Sequence, residues 1–502
     1  MACIDWLDEL DNAKACGLAG AILSFNTADR VFQPGDQPLV ANLKYFLAAK
    51  YRAEGYHVGH FSLSSGFSVM MPPGSDTSES SPMDGLKRTD DAQRIFAGLG
   101  RILKDEEAGC VVLLDYADHI VPSVGQGMVA GLTTEQITTL ETLHDWSLDD
   151  DIRASRNFIV LISREATLNS LVQQNSGFRA IQIDLPGEDL RKLFTEYLIQ
   201  AREQGAQDRL GSLEEGFTVQ EFARVTSGLR LSDIEELFQR SAASQVSINR
   251  NDIREKKKHT IRQLCGGLLE VVEPTEGFDI VAGCRHAKDY FKAIQPLWGS
   301  GHASLPQAIL LAGVPGGGKS FIIKALAKEF NCPCLVMRGV RESWVGQSER
   351  NLDRILQVTE NLAPCILWTD EVDQTVGGER SSGPSGDSGT SERMLGRLLE
   401  FFGDSRTRGK ILWVATTNRP DLLDVAIKDR FSVKIPFLHP GRTEREELLP
   451  ILAKQVGRKF TQDVDVSELA GHPELAVLTV RSLQDIVVWA ATLADMETGI
   501  PG

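Results

Sequence analysis

The sequence is poor in three things, and each lack excludes something. It has no excess of positive charge, since 53 Lys and Arg stand against 69 Asp and Glu for a formal net charge of -16. That balance argues against a surface that coats nucleic acid or an anionic membrane, a local basic patch aside, and makes proteins the default partners. Long apolar stretches are missing too: no run of 18 uninterrupted apolar residues occurs, so no membrane span is expected. Cysteine is sparse, with eight in 502 residues, and none has the paired spacing of a zinc site. The one close pair, "CPC" at Cys332 and Cys334, lies beside an apolar strand pattern, so the cysteines read as reduced core thiols. The opening "MACIDWLDELDNAK" is acidic and amphipathic, without the basic start and apolar middle of a signal peptide, and a cytoplasm-like compartment is expected.

What is present is an ordinary globular composition, 42% apolar and 24% charged, over a length that suits roughly two to four domains. Residues 1–250 mix helix and strand patterns, broken by "MPPGSDTSESSPMDG" at Met71–Gly85, whose Pro, Gly and Ser content marks a loop. A charged helical linker at 251–274 leads through a Gly pair and a Pro into a second segment. From there strand, turn and helix alternate, which predicts a parallel sheet with crossover helices. The two large segments also look alike. "CVVLLDYAD" from Cys110 matches "CILWTDEVD" from Cys365, "NFIVLISREATLNSL" matches "KILWVATTNRPDLLD", and "IQIDLPGEDLRKLFTEYL" matches "VKIPFLHPGRTEREELLPIL", in the same order. They are either diverged copies or two α/β domains that share ordinary strand patterns.

The chemistry concentrates in "GVPGGGKS". Gly313, four residues, then Gly318, Lys319 and Ser320 follow the buried-strand pattern Ala308 to Ala312 and precede the helical run "SFIIKALAKEF" that holds Phe321. This is the context that a phosphate-binding loop needs. In Pro315, Gly316, Gly317 and Gly318 the glycines let successive backbone N–H groups turn toward phosphate oxygens, and the helix N-terminus adds its positive dipole end. Lys319 would bridge terminal phosphates and Ser320 would ligate magnesium. About 50 residues on, "CILWTDEVD" delivers Asp370 and Glu371 at a strand end, where α/β sheets place their ligands. Asp370 would hold the magnesium through water and Glu371 would act as general base. A further buried strand, "WVATT", ends in Asn418, able to orient the water or read the γ-phosphate.

This order of phosphate loop, acidic strand, polar strand end and then arginine resembles the AAA family of ATPases, over about residues 275–495. The resemblance implies an α/β fold, a P-loop NTPase parallel sheet at 275–438 with a small helical lid at 439–502, preceded at 1–250 by a degenerate AAA-like module. It implies ATP and Mg2+ as cofactors. In "SWVGQSERNLDRIL", Trp344, Val345 and Gly346 match the pore loop that grips a threaded polypeptide, where Trp344 alone would read as a core aromatic. The arginine pattern departs from the family's. "DVAIKDRFSVKIPF" offers only Arg430, with Asp429 where a second Arg is frequent, so Arg430 is the candidate finger acting on a neighbouring subunit, a surface salt bridge being its rival. Arg481 in "LTVRSLQDIV" is either a lid arginine that senses phosphates or a solvated helix position. The stretch "GGERSSGPSGDSGTSE" after Val376 is too polar to pack and reads as an insertion.

The first half lacks this equipment. "GAILSFNTADRVF" runs on as one strand without a Gly-x4-Gly-Lys, and Tyr116 stands where Glu371 stands and is no base near neutral pH. With the degenerate first module, the stretches "GLRLSDIEELFQRSA", "IRQLCGGLLEVVEP", "APCILWTDEVD" and "SGTSERMLGRLL" resemble more narrowly an AAA family encoded in chloroplast genomes and cyanobacteria. The likeness is strongest from Gly228 through the AAA module and thin before residue 100, and it implies a bacterial cytoplasm or a chloroplast stroma. The expected function is an ATP-hydrolysing homo-oligomeric ring, a hexamer, that remodels or unfolds a protein partner. The alternative is an ATP-dependent switch or scaffold that signals through its inactive first module.

Overall fold

The computed structural model describes residues 5–35, 38–70, 81–88, 91–122, 132–164, 168–174, 177–204, 210–265, 267–272, 276–298, 302, 304–337, 348–375, 396–398, 400–404, 406–423 and 425–498. The chain folds as two compact units, Met1–Thr260 and Ile261–Gly502.

In the first unit the apolar runs form strands β1 (Gly20–Phe25), β4 (His57–Ser62), β5 (Gly66–Val69), β6 (Cys110–Asp115), β7 (Phe158–Ile162) and β8 (Phe178–Ile183), in the spatial order β5-β4-β6-β7-β1-β8. All pairings are parallel except β4 with β5. A side hairpin, β2 (Arg30–Gln33) with β3 (Leu39–Asn42), stands apart. Both faces of the sheet are covered, which is why its central strands read as unbroken apolar runs rather than alternating ones. Val112 and Leu114 join one core with Phe96, Leu99 and Trp146, while Val111 and Leu113 join another with Phe46, Leu47 and Tyr51.

The second unit repeats the plan with β9 (Leu269–Val272), β10 (Ala308–Gly313), β11 (Cys334–Met337), β12 (Cys365–Thr369), β13 (Ile411–Thr417) and β14 (Val433–Phe437), ordered β14-β10-β13-β12-β11-β9. Read from β8 and from β14, the two sheets have one order. The antiparallel edge strand alone differs: β5 follows its partner in the chain, whereas β9 precedes the whole sheet.

Strand register makes the equivalence residue-specific. Gly20 lies opposite Ile159 and Ala308 opposite Trp413, Leu114 opposite Leu161 and Thr369 opposite Ala415. Asp115 therefore corresponds to Asp370, Tyr116 to Glu371, Ile162 to Thr416, and Arg164 to Asn418. Each sheet is followed by a helical trio: Glu188–Glu203, Val219–Val225 and Leu231–Ser244 in the first unit, Arg442–Gln455, Val466–Ala470 and Val480–Thr498 in the second. Buried Arg191 donates to the carbonyls of Ala223 (3.0 Å) and Pro186, and buried Arg445 donates to those of Ala470 (2.8 Å) and Pro440 (2.6 Å). Of the two readings of the repeat, the shared order, register and arginine contacts support diverged copies. The first strand departs from its sequence reading, because β1 stops at Phe25 and Asn26–Asp29 turn the chain into β2.

Candidate functional site

In the second unit β10 lies between β13 and β14, so the turn after Gly313 opens at the C-terminal edge of the sheet, beside the ends of β12 and β13. Gly313 has to be glycine: a Cβ there would stand 1.9 Å from the Phe437 carbonyl oxygen. Gly318, at φ 93°, turns the chain in the left-handed region into helix Lys319–Glu329. Lys319 is buried, and its Nζ donates to the carbonyls of Gly313 (2.7 Å) and Val314 (2.8 Å) and to Asn418 Oδ1 (2.8 Å). Burial lowers the Lys319 pKa, with the charges of Asp370, Glu371 and Asp373 acting the other way. Asn418 Nδ2 in turn donates to Glu371 Oε1 at 3.1 Å. One chain of hydrogen bonds thus joins loop lysine, strand-end amide and candidate base.

The acids are held from the neighbouring strand. The Thr416 hydroxyl donates to Asp370 Oδ1 (2.5 Å) and accepts the Glu371 backbone N–H (3.1 Å). Glu371 sits at φ 46°, a left-handed conformation that costs a non-glycine residue about 1–2 kcal/mol. Pro315, Gly316, Gly317, Gly318, Lys319, Ser320 and Phe321 line a cleft of about 920 Å³ together with Asp370, Glu371, Thr416, Asn418 and Arg481. Arg481 also donates its backbone N–H to the Gly316 carbonyl at 3.1 Å. Arg430 is elsewhere, exposed at the end of helix Val425–Arg430 and outside the residues lining that cleft. Trp344, Val345 and Gly346, and the insertion after Val376, lie outside the described residues.

The sequence reading missed the far wall of the cleft. Ile280, Val281 and Ala282 close one side and Leu448, Ile451 and Leu452 another. Glu444 ties the two together by accepting from Cys284 N (3.1 Å) and Gly441 N (2.9 Å). The apolar "DIVAG" ahead of helix Arg285–Ile294 was the only available signal, and apolar residues next to a Gly occur throughout the chain. The residues present fit a nucleotide with its divalent ion. A glycine cradle, a buried lysine and a strand-end carboxylate converge on one cleft, whose size suits a small-molecule ligand.

The same crevice of the first unit is occupied by the chain's own side chains. Arg164, in the place of Asn418, donates to Asp115 Oδ1 (3.3 Å) and lies over the Tyr116 ring (4.9 Å). Burial raises the Asp115 pKa, but the His60 hydrogen bond and the Arg164 charge outweigh it and hold it below the ordinary value. Where the second unit has its glycine-rich loop, buried Asp29 accepts the backbone N–H groups of Leu231 and Ser232, both at 2.9 Å.

Comparisons with known proteins divide the chain along these lines. Residues 309–438 match the ATPase family associated with various cellular activities (AAA). Residues 3–184 match the AAA+ chaperone N-terminal Rossmann-like domain, and residues 189–266 the AAA+ chaperone second helical domain. The chain is similar to a cell division cycle protein 48 homolog of Archaeoglobus fulgidus, 25% identical over 413 residues that cover 74% of this chain and 52% of that one. It is similar to the ATP-dependent zinc metalloprotease FtsH of Corynebacterium glutamicum, 36% identical over 211 residues covering 39% and 24%. It is also similar to the uncharacterized AAA domain-containing protein ycf46 of Trieres chinensis, 33% identical over 259 residues covering 49% and 50%. The chain thus spans about half the length of these relatives or less. Among the described residues no helix is long and apolar enough to cross a membrane. Fold, cleft and matched families agree: the chain carries an AAA-family ATPase domain at residues 309–438, with an AAA+ chaperone-type Rossmann-like and helical pair ahead of it.

Proposed function

We propose that this protein binds ATP with Mg2+ in the cleft of its second unit, hydrolyses it, and uses turnover within a homo-oligomeric ring, a hexamer, to remodel a protein partner. The observation that carries the reading is the hydrogen-bond chain Lys319–Asn418–Glu371, which gives the base a fixed place relative to the phosphate loop. Lys319 and the loop glycines bind the phosphates, Ser320 and Asp370 hold the ion, Glu371 takes the proton from the attacking water, and Asn418 orients that water. The bound ion supplies neutralisation of phosphate charge. Arg430, exposed and outside its own cleft, acts on the cleft of the next subunit. Residues 439–502 serve as the lid, carrying Arg481 to the phosphates. Of the expected linker 251–274, the helix Arg250–Leu264 joins the two modules, whereas Leu269–Val272 is already edge strand β9 of the ATPase sheet. Trp344, Val345 and Gly346 grip the substrate, and the compartment is a bacterial cytoplasm or a chloroplast stroma. Support for a protein substrate comes from the chaperone-type match of the first half and from the net charge of -16.

A second reading, a nucleotide-dependent switch or scaffold without translocation, is favoured by the self-filled crevice around Arg164 and Asp115. ATPase rate against protein concentration, with mass from light scattering, tests the first reading on wild type, Glu371→Gln and Lys319→Ala. Activity that rises with assembly and is lost in both variants supports the ring ATPase; hydrolysis by a monomer overturns it. Trp344→Ala then separates the readings, since a translocase loses remodelling while keeping basal hydrolysis.

A further inference from the structure

We infer that Thr416 is a positioning residue for both acids of the cleft, fixing the Asp370 carboxylate toward the ion and holding Glu371 in the backbone conformation from which it works. This rests on the ATPase reading above and adds to it a residue on a different strand from the acids. Thr416 lies near the end of β13, one residue past the last pair of the β12–β13 ladder, Thr369 with Ala415. It is 1% exposed. Its single hydroxyl is used twice, as donor to Asp370 Oδ1 and as acceptor of the Glu371 N–H. A hydroxyl has one proton to give, so donating to Asp370 leaves its lone pairs for the amide and fixes the direction of both bonds.

The first unit shows what the position does without the hydroxyl. Ile162 stands there, 1% exposed, and the Tyr116 N–H folds back onto its own neighbour, Asp115 Oδ1, at 3.0 Å. Tyr116 keeps the left-handed backbone, φ 54° against 46° for Glu371. The turn is therefore common to both units, and what differs is where its N–H is spent. In the second unit the cross-strand hydroxyl takes the amide, so the Asp370 oxygen receives a hydroxyl proton directed from β13 instead of the local N–H. A carboxylate anchored from a neighbouring strand keeps its plane when the loop moves, which is how outer partners of an ion ligand tune affinity and rate.

The test uses Thr416→Val, which keeps shape and drops the hydroxyl, and Thr416→Ser, which keeps the hydroxyl, with Glu371→Gln as the zero of turnover. The inference expects Thr416→Val to lower kcat by about tenfold or more, and to weaken the Mg2+ dependence of binding of a fluorescent ATP analogue by a similar factor, with affinity in EDTA unchanged. Thr416→Ser is expected to recover both to within about threefold. Equal turnover and Mg2+ dependence in wild type and Thr416→Val would overturn the inference while leaving the ATPase reading intact. Parallel loss in Val and Ser, with lowered thermal stability, would overturn it by making the residue a packing one. If the wild type binds the analogue without hydrolysing it, the ATPase reading falls, and the Mg2+ dependence alone still decides whether Thr416 orients Asp370.

Discussion

Tyr116 and Glu371 hold equivalent places on two sheets, each directly after a strand-end aspartate and each in the left-handed region, at φ 54° and 46°. The two units share the backbone of the turn and differ in its chemistry. Restoring the acid alone is therefore expected to restore nothing. In Tyr116→Glu the crevice would still be filled by Arg164, still lack a lysine, and still present Asp29 where phosphate would come. Titration with a fluorescent nucleotide is expected to give one site per chain in wild type and in Tyr116→Glu, and none in Lys319→Ala. Two sites per wild-type chain would contradict this account.

Much of this was legible beforehand and some was not. The phosphate loop, Asp370, Glu371 and Asn418 were readable because each is fixed by local spacing at a strand end, and the structure brings them into one cleft. Arg191 and Arg445 were present in the aligned stretches, but a buried guanidinium that caps carbonyls looks in sequence like any helix-surface arginine. Thr416 was hidden because its role depends on a neighbouring strand 46 residues away in the chain. The apolar wall of the cleft left only the unspecific "DIVAG" as a mark, since Val281 and Leu448 are ordinary core residue types.

Removing Arg445 should cost stability rather than chemistry. Its guanidinium satisfies the carbonyls of Ala470 and Pro440, and it is 5% exposed. Arg445→Met would leave buried acceptors without donors, an expected loss of about 2–4 kcal/mol in urea unfolding. Arg191→Met should behave alike in the first unit, where burial pulls the Arg191 pKa down to about 10. A change below about 0.5 kcal/mol in both would mean the carbonyls find other partners.

Acid should weaken the first unit through Asp233, whose side chain is 2% exposed and paired with Arg230 at 2.9 Å and Lys256 at 3.2 Å. Burial raises its pKa, but the Arg230 hydrogen bonds and charge prevail and hold it below the ordinary 3.8. A depressed carboxylate contributes stability that is fully present well above its unfolded value and is lost as pH falls through the folded one. Urea midpoints should therefore drop more steeply between about pH 5 and pH 3 in wild type than in Asp233→Asn. Parallel slopes would show that other carboxylates carry the acid sensitivity.

Gly313→Ala is expected to disrupt the seam between β10 and β14, because the new Cβ would meet the Phe437 carbonyl oxygen at 1.9 Å and backbone must move to relieve it. The Lys319 Nζ, which uses the Gly313 carbonyl as an acceptor, would move with it. Nucleotide affinity should fall by at least about tenfold together with thermal stability, whereas Lys319→Ala should lose affinity with little change in fold. Unchanged affinity in Gly313→Ala would mean the loop adapts and the glycine is not required.

The sharpest test of shared sites uses two inactive partners. Glu371→Gln removes the base from its own cleft, and Arg430→Ala removes the cation that an adjacent subunit would receive; each homo-oligomer should be at least about 100-fold slower than wild type. Mixed at equal concentration before assembly, the two chains place an intact Glu371 beside a neighbour with an intact Arg430 at about a quarter of the interfaces, so about a quarter of wild-type activity should return. A cleft completed within one chain predicts no recovery, because every chain in the mixture carries a lesion of its own. If Arg430→Ala is active alone, the arginine is a surface residue and the helix Val425–Arg430 has no part in the neighbour's chemistry. Recovery that appears only when light scattering shows mixed assemblies would tie turnover to the ring, and through it to whatever the ring acts upon.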